Sequence, residues 1–380
     1  MPLSSKLPSV GVTIFTVMTR LSNDSGAINL SQGFPDFDVS AELRELVAKY
    51  MAAGHNQYAP MQGIPSLRQR IQEKTKELYG ASYDPDTEIT VTAGATEALF
   101  AAIICAVNPG DEVILFEPAY DSYAPAVLLA GGIPVYVQLK YPDYHVDWNE
   151  VKDAITPKTK LLILNSPHNP TGAILSVEDM KALINIVDGT DILIVSDEVY
   201  EHIIFDGQRH ESMTRYPELA VRSFVISSFG KTYHATGWKL GYCLAPKNLS
   251  VEFQRVHQFV TFACHTPTQY AYAKFMERKE KYLSLGDFYQ EKRDLFLRLI
   301  KDSRFKPLPC RGTYFQMLSY EAISDEKDVD FARRLTIEHK VASIPPSVFY
   351  IGGDDHKALR FCFAKKDETL IKAAERLCRI

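Results

Sequence analysis

The chain has 380 residues, too many for one small core, so a large domain with a smaller companion is the expectation. Apolar residues make up 46% and charged ones 23%, and the formal net charge of -5 excludes a nucleic-acid binder that works through bulk positive charge. The cysteines (Cys105, Cys243, Cys264, Cys310, Cys362 and Cys378) are scattered, with no C-x-x-C and no histidine at zinc spacing, which fits buried thiols of a reducing compartment.

Residues 1–10 are polar with no apolar h-region, and no run approaches the length of a membrane span, so a cytoplasmic protein with no membrane partner is expected. Residues 1–38 hold little regular pattern. Within them a short apolar run at Ile28 breaks at Gly33 and Pro35, and a glycine there lets backbone approach something closely. Residues 41–53 and 64–79 read as helices, the second with Leu67, Ile71 and Leu78 near helical spacing. From Ile89 the pattern changes. Short apolar strands at 89–92, 112–116, 133–139, 160–165, 192–196, 224–227 and 240–244 alternate with helical segments, including one at 98–107. Such a series predicts an α/β fold with a mostly parallel sheet covered on both faces. After Pro267 the strands thin out. Helices are expected at 268–283, 288–300, 329–339 and from Glu368, with strands at 313–318, 341–344 and 359–363. This describes a smaller α+β domain. The expected division is residues 39–270 as the large domain, with 1–38 and 271–380 together as the small one.

Ligands of open α/β sheets bind at the carboxyl ends of strands, so the loops there carry the chemistry. Gly94-Ala95-Thr96 opens a helix, where backbone N–H groups and a hydroxyl suit a phosphate; a plain helix cap is the alternative. In Asn165-Ser166-Pro167-His168-Asn169-Pro170-Thr171-Gly172, two prolines and a glycine stiffen a loop that aims Asn169, unless it is a simple turn. Asp197 ends an apolar strand and needs a positive partner if buried, such as a protonated pyridine nitrogen, while Tyr200 sits where it could bond a ring hydroxyl. A helix cap, or a metal site with Glu198 and His202, competes for Asp197; the metal reading is the weaker, and no metal is expected.

The stretch SSFGKTYHATGWKLGY at 227–242 surrounds Lys231 with small residues and follows it with Lys239. An enclosed lysine can lose its proton near neutral pH and attack a carbonyl to form a Schiff base. Lys239 and Ser228 could meet a phosphate. Together, these loops describe pyridoxal 5′-phosphate chemistry.

From about Leu30 to the C-terminus, the chain resembles class I aminotransferases of the fold-type I pyridoxal-phosphate superfamily. Its nearest likeness is to bacterial methionine aminotransferases and to kynurenine/glutamine transaminases. The resemblance rests on NLSQGFPDF at 29–37, NQYAPMQG at 56–63, TVTAGATEA at 90–98, NPTG at 169–172, SDEVYEH at 196–202 and the lysine stretch. It implies a seven-stranded large sheet and these roles. Lys231 carries the cofactor and shuttles the proton, and Asp197 keeps the ring nitrogen protonated. Asn169 and Tyr200 contact the ring hydroxyl, Tyr120 stacks on the ring, and Ala95, Thr96, Ser228 and Lys239 hold the phosphate. Tyr58 reaches the phosphate of a neighbouring subunit, which makes the expected assembly a homodimer with shared sites. Arg360, with Asn169 and the Gly33 backbone, takes the substrate carboxylate. Phe15, Phe349 and a partner's His265 line the side-chain pocket.

The expected activity is transfer of the amino group of methionine, or another neutral or aromatic amino acid, to a 2-oxo acid. A pyridoxal-phosphate β-lyase acting on cysteine conjugates or cystathionine shares the early steps and is the alternative. A cofactor-binding regulator without turnover is the remote one, and Lys231 weighs against it.

Overall fold

The computed structural model describes residues 3–380. Strand β1 (Ile28–Asn29) precedes the large sheet, whose strands in chain order are β2 (Ile89–Thr92), β3 (Glu112–Glu117), β4 (Ile133–Gln138), β5 (Thr159–Asn165), β6 (Leu193–Asp197), β7 (Ser223–Ser228) and β8 (Gly241–Leu244). Side by side they run β2-β8-β7-β6-β5-β3-β4. Strand β8 is antiparallel to both its neighbours and every other pair is parallel. This is the mostly parallel seven-stranded α/β sheet that the strand series predicts.

Strand alternation explains why the sheet is covered twice. Val113, Leu115, Ile163, Val195 and Ile226 enter one apolar core, while Ile114, Phe116, Leu164, Ile194 and Val225 enter another. Successive side chains point to opposite faces, so a continuous apolar run needs apolar cover on both. Helices Gly94–Ala106 and Lys247–Val260 supply it on the first face, and Pro65–Tyr79 and Val177–Val187 on the second.

Further strands follow: β9 (Lys306–Pro307), β10 (Phe315–Ser319), β11 (Val341–Ala342) and β12 (Ala358–Cys362). Strands β12, β10 and β9 form a small antiparallel sheet, and β11 pairs in parallel with β1. Helices Leu285–Leu299 and Asp367–Leu377 contribute to its core, as do Met18 and Leu30. The N-terminal segment is thereby joined to the C-terminal part of the chain.

Two expectations are corrected. The N-terminal segment contains a regular helix, Ile14–Ser25. Thr13 caps it by accepting from the Thr16 N–H at 3.3 Å, and Gly26 closes it at φ 59°. Ile14, Val17, Met18 and Leu21 stand at helical spacing, a period that the expectation for residues 1–38 overlooks. The single helix expected at 268–283 is two, Thr266–Phe275 and Glu280–Leu283. At the break Arg278 pairs with Glu42 at 2.9 Å and Lys279 with Glu77 at 2.5 Å. Among the described residues no helix is long and apolar enough to cross a membrane.

Two devices set the carboxyl end of the sheet. Gly241 starts β8 against the helix Gly94–Ala106, where a Cβ would lie 2.7 Å from the Ser227 carbonyl oxygen and 2.9 Å from the Ala95 nitrogen. Any other residue would force the strand and the helix N-terminus apart. Behind β7, Glu201 accepts from Lys74 Nζ at 2.6 Å, from the Ser227 hydroxyl at 2.7 Å and from the phenols of Tyr79 and Tyr242. Burial raises the Glu201 carboxyl, but the Lys74 charge, His202 and these donors outweigh it and hold the group well below the usual carboxylate range. Removing one partner of such a buried pair strands the other charge. Lys74→Met should therefore destabilise the protein by about 3–5 kcal/mol. Urea unfolding checks this, and an unchanged midpoint would show that the pair contributes nothing.

Candidate active site

A cavity of about 190 Å³ opens at the carboxyl ends of the central strands. Its lining includes Ala95, Thr96, Tyr120, Asn169, Asp197, Tyr200, Ser228, Lys231 and Lys239, so four separate loops converge as the sequence predicts. Each loop has a local cause. Strand β6 ends on Asp197, which is 4% exposed. Strand β7 ends on Ser228, and the single turn Phe229–Thr232 that follows turns Lys231 into the cavity. Lys239 sits at φ 50° and reaches Thr96 Oγ1 at 3.2 Å. Gly94, at φ +75°, makes room for it: a Cβ there would lie 3.3 Å from Lys239 Nζ.

Asp197 is held on both oxygens. Tyr123 donates its hydroxyl at 2.7 Å, and the Val199 N–H donates at 3.3 Å. Burial pushes the Asp197 carboxyl up to about 6, with those two donors and the Lys231 charge limiting the rise. Burial also draws the Lys231 amine down to about 8; Arg360 and Lys239 act the same way, and Cys362 and Asp197 oppose them. The amine donates to the Gly33 carbonyl at 3.2 Å and to the Tyr314 phenol oxygen at 3.0 Å.

Arg360, 1% exposed on β12, lies outside the cavity lining, as do Gly33, Phe15 and Phe349, and it meets that lining through Asn169. It donates to Asn169 Oδ1 and to the Ser31 carbonyl, each at 2.7 Å. Its guanidinium carbon lies 5.3 Å from the Phe15 ring centre and 3.9 Å from that of Phe315. Burial lowers it to about 10. Among the described residues it has no carboxylate partner, and its Nε has no hydrogen-bond acceptor. Phe349 packs beside Phe15 with ring centres 5.9 Å apart.

Tyr58 and His265 do not join this cavity. Tyr58 is 84% exposed, its ring edge-on to Phe262 at 5.4 Å. It shares a separate surface depression with His265, whose Nδ1 pairs with the Thr268 hydroxyl at 2.6 Å. Glu198 and His202, weighed as metal ligands, turn elsewhere: Glu198 to His210 at 2.8 Å and His202 toward Glu201 at 3.7 Å.

Sequence reasoning passes over three residues. Tyr123 and Tyr314 contact Asp197 and Lys231 directly. Asn165 ties the loops together, donating to the Asp197 carbonyl at 2.9 Å and accepting from the Asn169 N–H at 2.8 Å. Asn165 opens the stiff loop and Tyr123 lies three residues after Tyr120, so both had a signal; Tyr314 had none.

The donor set suits a flat anionic cofactor with a basic ring nitrogen. Lys239, two hydroxyls and a helix N-terminus face one end, a buried carboxylate the other, and an amine of lowered pKa lies between. A family model described as aminotransferase class I and II matches residues 25–377. Methionine aminotransferase of Escherichia coli (strain K12) is 52% identical over 98% of this chain and 97% of its own. A kynurenine–oxoglutarate transaminase of Dictyostelium discoideum is 36% identical over 99% of this chain and 96% of its own. The solved structure of an Escherichia coli protein with a methionine aminotransferase function superposes with a TM-score of 0.98 at 51% identity, covering 100% of both chains.

The fold and the site define a fold-type I pyridoxal-phosphate enzyme. Within that class, the chain belongs to the class I and II aminotransferases, enzymes that pass an amino group between an amino acid and a 2-oxo acid with pyridoxal 5′-phosphate as cofactor. These likenesses favour transamination over β-elimination.

The Tyr123 contact gives a direct test of the Asp197 environment. A donor to the ionised carboxylate lowers its pKa, so Tyr123→Phe should raise the Asp197 midpoint further above about 6. Carbon NMR of labelled aspartate across the pH range checks this; an unchanged or lower midpoint would contradict it.

Proposed function

We propose that this enzyme takes the amino group from methionine or another neutral amino acid. The observation that carries the reading is Arg360: a buried guanidinium with no carboxylate partner among the described residues, set between two aromatic rings and bonded to Asn169, which lines the cavity that also holds the amine of Lys231. Its planar fork matches an α-carboxylate in two parallel bonds, and the Gly33 and Asn169 side of the site would complete the clamp. A dicarboxylate donor would need a second cation. The stretch from Gln258 to Glu277 offers only Lys274, which is spent on Glu277 at 2.5 Å. Phe15 and Phe349, with a His265 lent by a second copy, would give a pocket of ring edges, which favours a thioether sulfur. The 52% identity to the Escherichia coli methionine enzyme supports the same choice.

In this reading pyridoxal phosphate, when bound, supplies the aldehyde that receives the amino group and a ring that draws electrons from the substrate carbon. Lys239, Ser228, Thr96 and the Ala95 N–H hold its phosphate. Asp197, ionised above about pH 6, holds the proton on its ring nitrogen. Tyr120 covers the ring face, and Asn169 and Tyr200 meet its hydroxyl. Lys231 Nζ, neutral in part at pH 8, takes the proton from the substrate carbon and returns it.

A homodimer completes the site in the same proposal. Tyr58 and Phe259 are 84% and 85% exposed, an unusual state for large aromatics, and a second copy covering them would bring Tyr58 and His265 to its neighbour's cavity. The cytoplasm, and the division into a 39–270 domain and a 1–38 plus 271–380 domain, belong to this reading.

Two experiments decide it. Lys231→Ala should fold yet lose transamination by about three orders of magnitude or more, measured as oxo-acid formation; near-normal turnover would end the assignment. A donor panel with one fixed 2-oxo acid should place methionine among the best donors, with glutamine, leucine, phenylalanine, tyrosine and histidine behind it. Aspartate should be at least about tenfold poorer, because its second carboxylate would be buried unpaired. Catalytic efficiency for aspartate equal to that for methionine would overturn the pocket and leave the aminotransferase intact.

A further inference from the structure

We propose that Tyr314 is a positioning residue that orients the free ε-amine of Lys231, using the Gly33 carbonyl as its second anchor. The proposal rests on the reading of Lys231 as the reacting amine. Three atoms form a closed triangle. The Tyr314 hydroxyl donates to the Gly33 carbonyl at 2.6 Å, which leaves the lone pairs of the phenol oxygen free to accept. Lys231 Nζ donates to that oxygen at 3.0 Å and to the same carbonyl at 3.2 Å.

A tetrahedral nitrogen bonded to Cε, with two N–H bonds so placed, has one valence left. Lys231 lines the cavity but neither Gly33 nor Tyr314 does. With two of the amine's bonds spent on those acceptors, the remaining valence is the one left for the cavity. In the charged amine that valence is a proton; in the neutral amine it is the lone pair. The cradle leaves that valence free whichever group the amine uses there.

The cradle is also rigid. Tyr314 is fully buried, with its ring edge-on to Tyr200 at 5.1 Å and beside Phe315 at 4.9 Å. Gly33 packs close against Phe315: a Cβ there would lie 2.8 Å from its ring. Both acceptors are neutral, so neither cancels the charge of the amine. The charged groups that act on it are Asp197 on β6, Arg360 on β12 and Lys239 before β8.

Tyr314→Phe keeps the ring and removes the acceptor. A phenol oxygen that accepts from Nζ favours the charged amine, so its loss should lower the midpoint of Lys231 further below about 8. The readout is carbon NMR of Cε-labelled lysine in the full-length apoprotein, with Lys231→Ala assigning the signal. We expect a fall of roughly half a unit or more, and in the loaded enzyme a drop in kcat of about tenfold or more with KM little changed. An unchanged midpoint overturns the proposal, as does an unchanged kcat. Either result leaves the loss of turnover in Lys231→Ala standing, so the two readings fall separately. If Tyr314→Phe does not fold, Cζ-labelled tyrosine in the wild-type apoprotein reads the same bond. The Tyr314 signal should titrate with Lys231 near pH 8, and a signal flat through that range overturns the proposal.

Discussion

Three ionisable side chains gather at one cavity without being paired to one another: Asp197, buried, and Lys231, half-buried, line it, and Arg360, buried, stands behind Asn169. Withdrawing a charge is costly unless something replaces its hydration. Here the replacement is made by neutral groups: Tyr123 and a backbone N–H for Asp197, Tyr314 and a carbonyl for Lys231, Asn169, a carbonyl and two aromatic faces for Arg360. Neutral partners hold a charge in place without cancelling it. Direct ion pairs among the three would have been more stable in isolation and useless to a ligand.

The architecture follows from that constraint. The neutral partners come from distant parts of the chain. Asp197 ends β6 and Lys231 sits in the turn that follows the adjacent parallel strand β7, whereas Arg360 lies on β12, Tyr314 immediately before β10 and Gly33 in the N-terminal segment. The site exists only where the large sheet and the small sheet face each other. The N-terminal segment is fixed to the C-terminal part of the chain by β1 on β11 and by Lys365 and Lys366, which bond the Phe34 carbonyl and Asp36. The buried Lys74–Glu201 pair meets the Ser227 hydroxyl and so steadies the strand end that delivers the lysine. Unlike the cavity charges, this pair is closed on itself, as suits a group whose task is rigidity.

What the sequence discloses and what it hides divide along the same line. The strands are legible because each is apolar on both faces, a local property. Asp197, Lys231, Asn169 and the Gly94 loop are legible because each breaks a local rule: a carboxylate at the end of an apolar strand, a lysine among small residues, two prolines around an asparagine. Tyr123 and Tyr314 break no local rule. They look like ordinary core aromatics, and their partners lie 74 and 83 residues away in the chain. Arg360 is identified only through the family likeness, since an arginine between Leu359 and Phe361 reads locally as a strand residue facing solvent. The helix Ile14–Ser25 is legible as well, since Ile14, Val17, Met18 and Leu21 stand at helical spacing, and the expectation of little regular pattern there overlooks it.

The two lysines of the central stretch show how little of this depends on residue type alone. Lys231 is enclosed, and its amine is drawn down toward neutrality. Lys239, eight positions on, is held in a left-handed turn with its amine beside the Thr96 hydroxyl. An ammonium is a compact point charge, and the space over Gly94 fits it closely: one added carbon at that glycine would touch Nζ at 3.3 Å. Gly241 in turn pins the helix N-terminus at Gly94 against β8. The small residue at 94, the lysine at 239 and the glycine at 241 are therefore one matched set. Under the proposed reading, the phosphate is met by a single movable charge and by fixed backbone donors, with no bidentate fork.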